Sequence, residues 1–496
     1  MRGMGQRVGR NVGALLFSQL TTWGLTLLLT IFLPRYLGAA PVGKFQLANS
    51  IWAVVAVLVT FGMDVLLTKE IARAPEQAGD LFGTSVVLRA LLYLLGLGAV
   101  FSYLRLCRYP QSTIVVALIV GLASLVQQFI GACQATLQGL ERMEYMAVGN
   151  IAGKAVNTAA CLALLLLGRG VYAIAAVAVV AALVSLSIHV AALVRLHVLR
   201  LRWNLLAARR MLRAGLPYLL SGLFLVAYGQ VDVMIISLLV DDRTVGWYGA
   251  ASQLFSTLLF IPSVLVTAIF PVLSRLHTQD PARLPGLLRR VFDLLLVLSV
   301  PIGLGLVVVA DPLVSLLFGP DFAPSGPVLA LLGVTLIVTY QNMLVGQYMI
   351  SIDRQNTWTL VMAAAVAATV PLDLLLVPWC RTLLGNGAVA GALSFLVTES
   401  GMMVAGLLLL PRGTLGRADL WLALRVMAAG LLMAVAAWYC RRLFIVIPVA
   451  VGAAIYSMLA LALGLFSTED RALLARLMRR ALHLGAGGEA VIAGEP

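Results

Sequence analysis

Long apolar runs, broken by short polar turns, recur along nearly the whole 496-residue chain. Fourteen are read, at 11–33, 45–67, 81–104, 113–138, 143–167, 171–198, 214–240, 247–270, 287–309, 325–350, 357–378, 386–409, 418–439 and 442–466. Each has the length needed to cross a hydrocarbon core of roughly 30 Å. The turns between them carry Pro, Gly and charge, and their free backbone groups keep them out of lipid. Helices satisfy their own backbone groups where water is absent, so the spacing predicts an all-α integral membrane protein with about 14 transmembrane helices. With 61% hydrophobic and 11% charged residues, an ordinary soluble domain is excluded. The first run is too long for a cleavable signal and lacks a small-residue cleavage site, so it reads as an uncleaved first span.

The net charge of +14 is a matter of topology rather than of nucleic acid. With the N-terminus cytoplasmic, 23 of the 35 Lys and Arg residues fall in inner segments and nine in outer loops, while Arg89, Lys154 and Arg425 remain inside spans. The positive-inside rule then places both termini in the cytoplasm and the chain, as a multi-pass protein, in the cell (inner) membrane. No nucleic-acid partner is expected. The basic stretch 199–213, with Arg195 just before it, reads as a cytoplasmic amphipathic linker between an N-terminal lobe (1–198) and a C-terminal lobe (214–410).

A short internal repeat supports that division. Val42-Gly43-Lys44-Phe45-Gln46-Leu47-Ala48 has a counterpart in Val245-Gly246-Trp247-Tyr248-Gly249-Ala250-Ala251, each following the first span of its half. Six spans per half give the two lobes the same orientation, a parallel repeat of the kind that binds substrate between its halves and rocks. Residues 411–466 hold two extra spans, and 467–496 read as a cytoplasmic tail that starts as a surface helix from Ser467 to His483.

Polar side chains within spans are informative because lipid excludes them. Gln127, Gly131, Gln134 and Gln138 repeat at helical spacing on one face of the fourth span, and Asn150, Lys154 and Asn157 on one face of the fifth. Interhelical hydrogen bonding accounts for the amides but poorly for a midplane lysine. Arg89 either snorkels to the cytoplasm or offers a planar fork of donors to phosphate oxygens. The second half carries acids instead: Asp232, Asp373 and Glu399. Tyr218, Ser221, Tyr228 and Asp232 form one polar face, and Thr335, Thr339, Asn342 and Gly346 another. Embedded carboxylates suit proton or sodium coupling, or a charge pair such as Glu399 with Lys154. Prolines interrupt only spans of the second half, at Pro262, Pro301 and Pro371, where bends are expected.

The first hairpin also carries a set of short motifs. Arg35-Tyr36-Leu37-Gly38, Val42-Gly43-x-Phe45, Phe61-Gly62-x-Asp64 and Lys69-Glu70-Ile71-Ala72-Arg73 follow one another in order. Together they resemble the opening of the bacterial oligosaccharide flippases of the multidrug/oligosaccharidyl-lipid/polysaccharide exporter superfamily, and the likeness runs loosely over about the first 410 residues. The resemblance implies a substrate made inside and moved outward: an oligosaccharide on a polyprenyl diphosphate. In that light Lys154, Arg89 and, at the outer mouth, Arg35 are candidate diphosphate ligands. Gln127, Gln134, Asn150 and Asn157 are candidate sugar contacts. Asp232, Asp373 and Glu399 are candidate ion-coupling groups, with Na+ or H+ as the coupling ion. A polysaccharide polymerase and glycosyltransferases are the implied partners. Related peptidoglycan-precursor flippases place basic residues in the first helix, whereas this chain offers only Asn11, Ser18, Gln19, Thr21, Thr22 and Thr26 past Arg10.

Enzyme motifs are missing. No GxxxxGK[ST] loop is present, and the four histidines (His189, His197, His277, His483) lie at cytoplasmic edges or in the tail. The five cysteines form no CxxC or Cys/His cluster and read as free thiols, a Cys380–Cys440 bridge being the one conceivable pairing. Two rival functions remain: a drug/cation exporter of the same superfamily, which calls for an acidic or aromatic cavity, and a membrane polymerase or ligase, which calls for a larger external loop.

Overall fold

The computed structural model describes residues 2–199, 202–411 and 413–465, with side chains described from residue 17 onward. The expected surface helix at Ser467–His483 lies outside the described residues. Among the described residues there are helices and turns and no strand. Thirteen helical segments are long and apolar enough to cross a membrane, and one shorter apolar helix follows them.

The helices are α1 (Arg2–Leu37), α2 (Ala39–Thr60), α3 (Met63–Arg73), α4 (Ala78–Leu106), α5 (Gln111–Gly139), α6 (Met143–Leu166), α7 (Val171–Arg195), α8 (Leu205–Leu239), α9 (Asp242–Leu258) and α10 (Phe260–Gln279). There follow α11 (Leu284–Phe318), α12 (Ser325–Ser351), α13 (Gln355–Leu384), α14 (Ala388–Leu409), α15 (Arg417–Tyr439) and α16 (Val446–Ala462). Two compact units result: Met1–Pro271 with Ala310–Leu409, and Val272–Val309 with Leu410–Pro496. Most of both expected lobes lies within the first unit.

Several local features differ from the expectation. The turn after the first span is the single residue Gly38 (φ +79), because α1 continues through Pro34 and α2 begins at Ala39. The second span is not one helix. Phe61 and Gly62 both adopt left-handed backbone (φ 49 and 71), splitting it into α2 and α3 without a proline. Of the second-half prolines, Pro262 stands beside the α9–α10 break, whereas α11 and α13 continue through Pro301 and Pro371. The expected linker at 199–213 is not separate over its second part. From Leu205 the basic stretch is already the first turns of the 35-residue α8, capped by the Asn204 side chain, which accepts the N–H groups of Leu206 and Ala207.

Within the first unit the helices alternate between the face of the α1 N-terminus, termed the N-face, and the opposite face. The repeat glycines meet at the opposite face. A Cβ on Gly43 would lie 1.8 Å from the Asp242 carbonyl oxygen, and one on Gly246 would lie 2.0 Å from that of Ala39. Only glycine permits that approach. Three further contacts tie the halves there. Asp321 accepts the Ala39 N–H at 2.9 Å and pairs with Arg243. Lys44 Nζ lies 3.9 Å from Asp242. Tyr109 and Ser237 share a hydrogen bond of 2.7 Å.

The second unit packs α15 and α16 on the first part of α11. Tyr456 donates to the Val297 carbonyl at 2.8 Å, Arg289 pairs with Asp419, and Gly430 makes room for Val300. All five cysteines are free thiols.

Candidate functional site

Two adjoining chambers open in the first unit, of about 590 and about 490 Å³. They share Phe45, Asn49, Ala53, Lys154, Asn157 and Ala178, so Lys154 stands where they join. The sequence explains the location. Gly153 lets α6 approach α7, since a Cβ there would lie 2.7 Å from Ser185 Cβ, and the next residue then points to the space beside the crossing. Among the described residues Lys154 makes neither an ion pair nor a hydrogen bond. Among the described residues no carboxylate lines either chamber. The walls carry amides (Gln19, Asn49, Gln127, Gln128, Asn150, Asn157) and hydroxyls (Ser18, Thr22, Ser124), with Gln230 and Gln253 of the second half closing the smaller chamber. A partly exposed ammonium among uncharged polar walls suits an anionic guest, because it offers a charge that no described carboxylate neutralises.

The expected stripes are therefore real faces, and they separate into two stations. Gln127, Asn150 and Asn157 line the chambers with Lys154. Gln134 and Gln138 line a separate cleft of about 440 Å³ toward the N-face, together with Asp64, Thr68 and Lys69. Gln134 donates to Asn150 Oδ1 at 2.6 Å, which joins the two sets of residues.

Two of the three candidate basic ligands lie elsewhere. Arg89 is 1% exposed and fully engaged: it pairs with Asp64 at 2.5 Å and donates to Ser85 Oγ at 3.2 Å and to the Gln128 carbonyl at 2.9 Å. Gly131 of the polar stripe gives the pair room, as a Cβ there would lie 3.1 Å from the guanidinium. Arg89 thus lines neither chamber, because a fixed carboxylate was within reach of its stem. Arg35 is exposed at the opposite face, where it donates to the Leu316 carbonyl at 2.8 Å.

The acids of the second half fall into two places. Asp232 of α8 and Asp373 of α13 are buried beside one another, with Ser394 next to Asp373. Tyr248 donates to Asp232 Oδ2 at 3.1 Å, while Asp232 Oδ1 and both oxygens of Asp373 have no hydrogen bond within 3.5 Å among the described residues. Glu399 accepts from Tyr228 at 3.0 Å and from Asn342 Nδ2 at 2.5 Å. It lines a mostly apolar cavity of about 440 Å³ with Ser221, Thr339 and Gly346. The suggested Glu399–Lys154 pair does not form, since each residue faces a different cavity.

His189, read from the sequence as lying at a cytoplasmic edge, is fully buried between helices. Its ring fills space left by Gly149, whose Cβ would lie 2.2 Å from it. His189 Nδ1 is 2.7 Å from the Ser185 carbonyl and Nε2 is 3.3 Å from Gln134 Nε2. The signal was its spacing four residues after Ser185, on the face of α7 that meets α6.

A probable low-salt glycan biosynthesis flippase, Agl15, of Haloferax volcanii is 23% identical over 382 residues, which cover 75% of this chain and 78% of that protein. Among solved structures, a lipid II flippase, MurJ, in an inward closed conformation aligns with TM-score 0.71 at 12% identity, covering 91% of this chain and 97% of that one. An inward-facing multidrug resistance MATE family transporter of the MOP superfamily aligns with TM-score 0.65 at 16% identity, covering 78% and 94%. These structures share the fold. The family model described as polysaccharide biosynthesis protein matches residues 8–277, more than half the chain, and the chain belongs to that family.

Proposed function

We propose that this protein is a flippase that carries an oligosaccharide on a polyprenyl diphosphate from the cytoplasmic to the outer leaflet by alternating access. One observation carries the reading: among the described residues, Lys154 stands unpaired at the junction of two chambers that no carboxylate lines. A diphosphate supplies the missing anion, the amide walls suit sugar hydroxyls, and the polyprenyl chain stays in lipid. The same observation disfavours export of organic cations, which an unpaired lysine repels. The family and the glycan flippase relative agree with the choice.

Both termini are assigned to the cytoplasm by the distribution of Lys and Arg. The N-face is then cytoplasmic and the lobes are tied together at the outer face, so the chambers await substrate from inside. Transport makes and breaks no covalent bond, so the protein is not an enzyme. Energy enters at Asp232 and Asp373. Two adjoining carboxylates with three unpaired oxygens require a proton or a sodium ion between them. A polymerase and glycosyltransferases would consume and supply the lipid-linked glycan.

The test is transbilayer movement of a lipid-diphosphate-linked oligosaccharide in proteoliposomes. Movement by wild type that collapses in Lys154→Ala supports the reading. An idle wild type that exports organic cations sinks it.

A further inference from the structure

The cleft toward the N-face is a cavity that the central chambers do not explain. Its volume of about 440 Å³ lies within the roughly 300–1,000 Å³ of small-molecule sites. Its wall holds Lys69, from the Lys69-Glu70-Ile71-Ala72-Arg73 motif, and Gln138, both exposed and without an ion pair or hydrogen bond among the described residues. Asp64 also lines it, but that carboxylate is matched by the buried Arg89, and Glu70 is matched by Arg73 at 3.7 Å. One uncompensated positive charge is left, and it belongs to Lys69.

A hydrogen bond between two amides joins a wall of the cleft to a wall of the larger chamber. Gln134 faces the cleft and Asn150 faces the larger chamber, with 2.6 Å between Gln134 Nε2 and Asn150 Oδ1. Behind them His189 Nδ1–H donates to the Ser185 carbonyl, which leaves Nε2 to accept from the Gln134 amide. Both Gln134 protons are then committed, and its carbonyl oxygen is left to accept a hydroxyl in the cleft. The partition is made of groups that exchange one hydrogen bond for another at little cost.

We infer that this cleft is a loading site for the phosphate-linked sugar at the cytoplasmic face. Lys69 holds a phosphate oxygen, Gln138 and Gln134 hold sugar hydroxyls, and the headgroup passes to Lys154 by displacing the Gln134–Asn150 bond. The inference rests on the flippase reading and adds a first station to it. A cation at each station keeps the diphosphate paired while its headgroup leaves water.

The test reads kinetics in proteoliposomes of defined orientation, with a fluorescent short-chain prenyl-diphosphate-linked disaccharide. Lys69→Gln should raise the half-saturating concentration for outward movement about tenfold, the loss of one charge-assisted hydrogen bond, with the maximal rate little changed. Lys69→Arg should restore most of it, and Gln138→Leu should weaken loading in the same way. Lys154→Ala, by contrast, should lower the maximal rate. A wild type that moves the lipid while Lys69→Gln keeps the wild-type half-saturation overturns the loading site alone. A wild type that moves nothing overturns the flippase reading and the loading site with it.

Discussion

Asp321, in the turn before α12, caps α2 from the other half of the repeat: its carboxylate accepts the Ala39 N–H at 2.9 Å. Gly38, the N-cap position, has no side chain to do this, so the helix start is completed only while the halves are together. Arg243 holds the same carboxylate, and the Trp247 indole donates to the Asp321 carbonyl at 2.9 Å. Asp321→Ala should therefore loosen this face, the outer one in the proposed topology, by about 0.5–2 kcal/mol for the lost cap. A thiol-reactive probe added from outside should label Cys substitutions in the α2 N-terminal turn faster. Asp321→Asn, which keeps a cap but loses the Arg243 charge pair, should fall between.

That closure has a defined pH dependence. The Ala39 N–H and then the Arg243 guanidinium hold the Asp321 carboxyl below the usual carboxylate range. A carboxyl lowered in the folded state contributes fully above its unfolded value of about 3.9 and loses its contribution as pH falls through the lower folded value. Labelling at this face, taken relative to an exposed reference cysteine so that thiol ionisation cancels, should be flat from neutral pH to about pH 5 and rise only below about 4. A rise centred near pH 6 would show that another group controls the closure.

The glycine contact is the harder constraint, because its neighbours are backbone atoms. Gly43→Ala and Gly246→Ala should each destabilise the closed outer face by about 1–3 kcal/mol, the usual penalty of overpacking. Gly24→Ala, with nothing within 4 Å, is the control and should be neutral. Thermal unfolding in detergent together with outer-face labelling checks both.

Lys154 should separate function from stability. Having no hydrogen-bond or ion-pair partner among the described residues, it contributes no polar contact, and Lys154→Ala should leave the melting temperature nearly unchanged or raise it while transport is lost. A lowered melting temperature would identify it as a structural residue.

Arg89 and Asp64 should behave in the opposite sense and unequally. Asp64→Ala strands a guanidinium that is 1% exposed and should cost about 3–5 kcal/mol. Arg89→Leu leaves a carboxylate that is 45% exposed and can be hydrated, so its penalty should be smaller. The double variant should cost less than the sum. Urea or thermal unfolding of the three variants decides it.

Membrane spans, their number and the polar faces of α5 and α6 were legible in the sequence because each rests on local periodicity. A helix in lipid must be apolar for its length, and a wet face repeats every three or four residues. The repeat around Gly43 and Gly246 was visible as well, though not that the two copies pack on each other. Partners were decided only by the tertiary structure. The chain alone does not say that Arg89 reaches a carboxylate 25 residues away while Lys154 reaches none, or that His189 lies behind Gln134. Nor does it show that Asp232 and Asp373 stand together while Glu399 is held by Tyr228 and Asn342. A charge inside a membrane span is visible from its neighbours in sequence, whereas its compensation depends on atoms brought close in space by other helices, and that compensation separates a structural ion pair from a binding site.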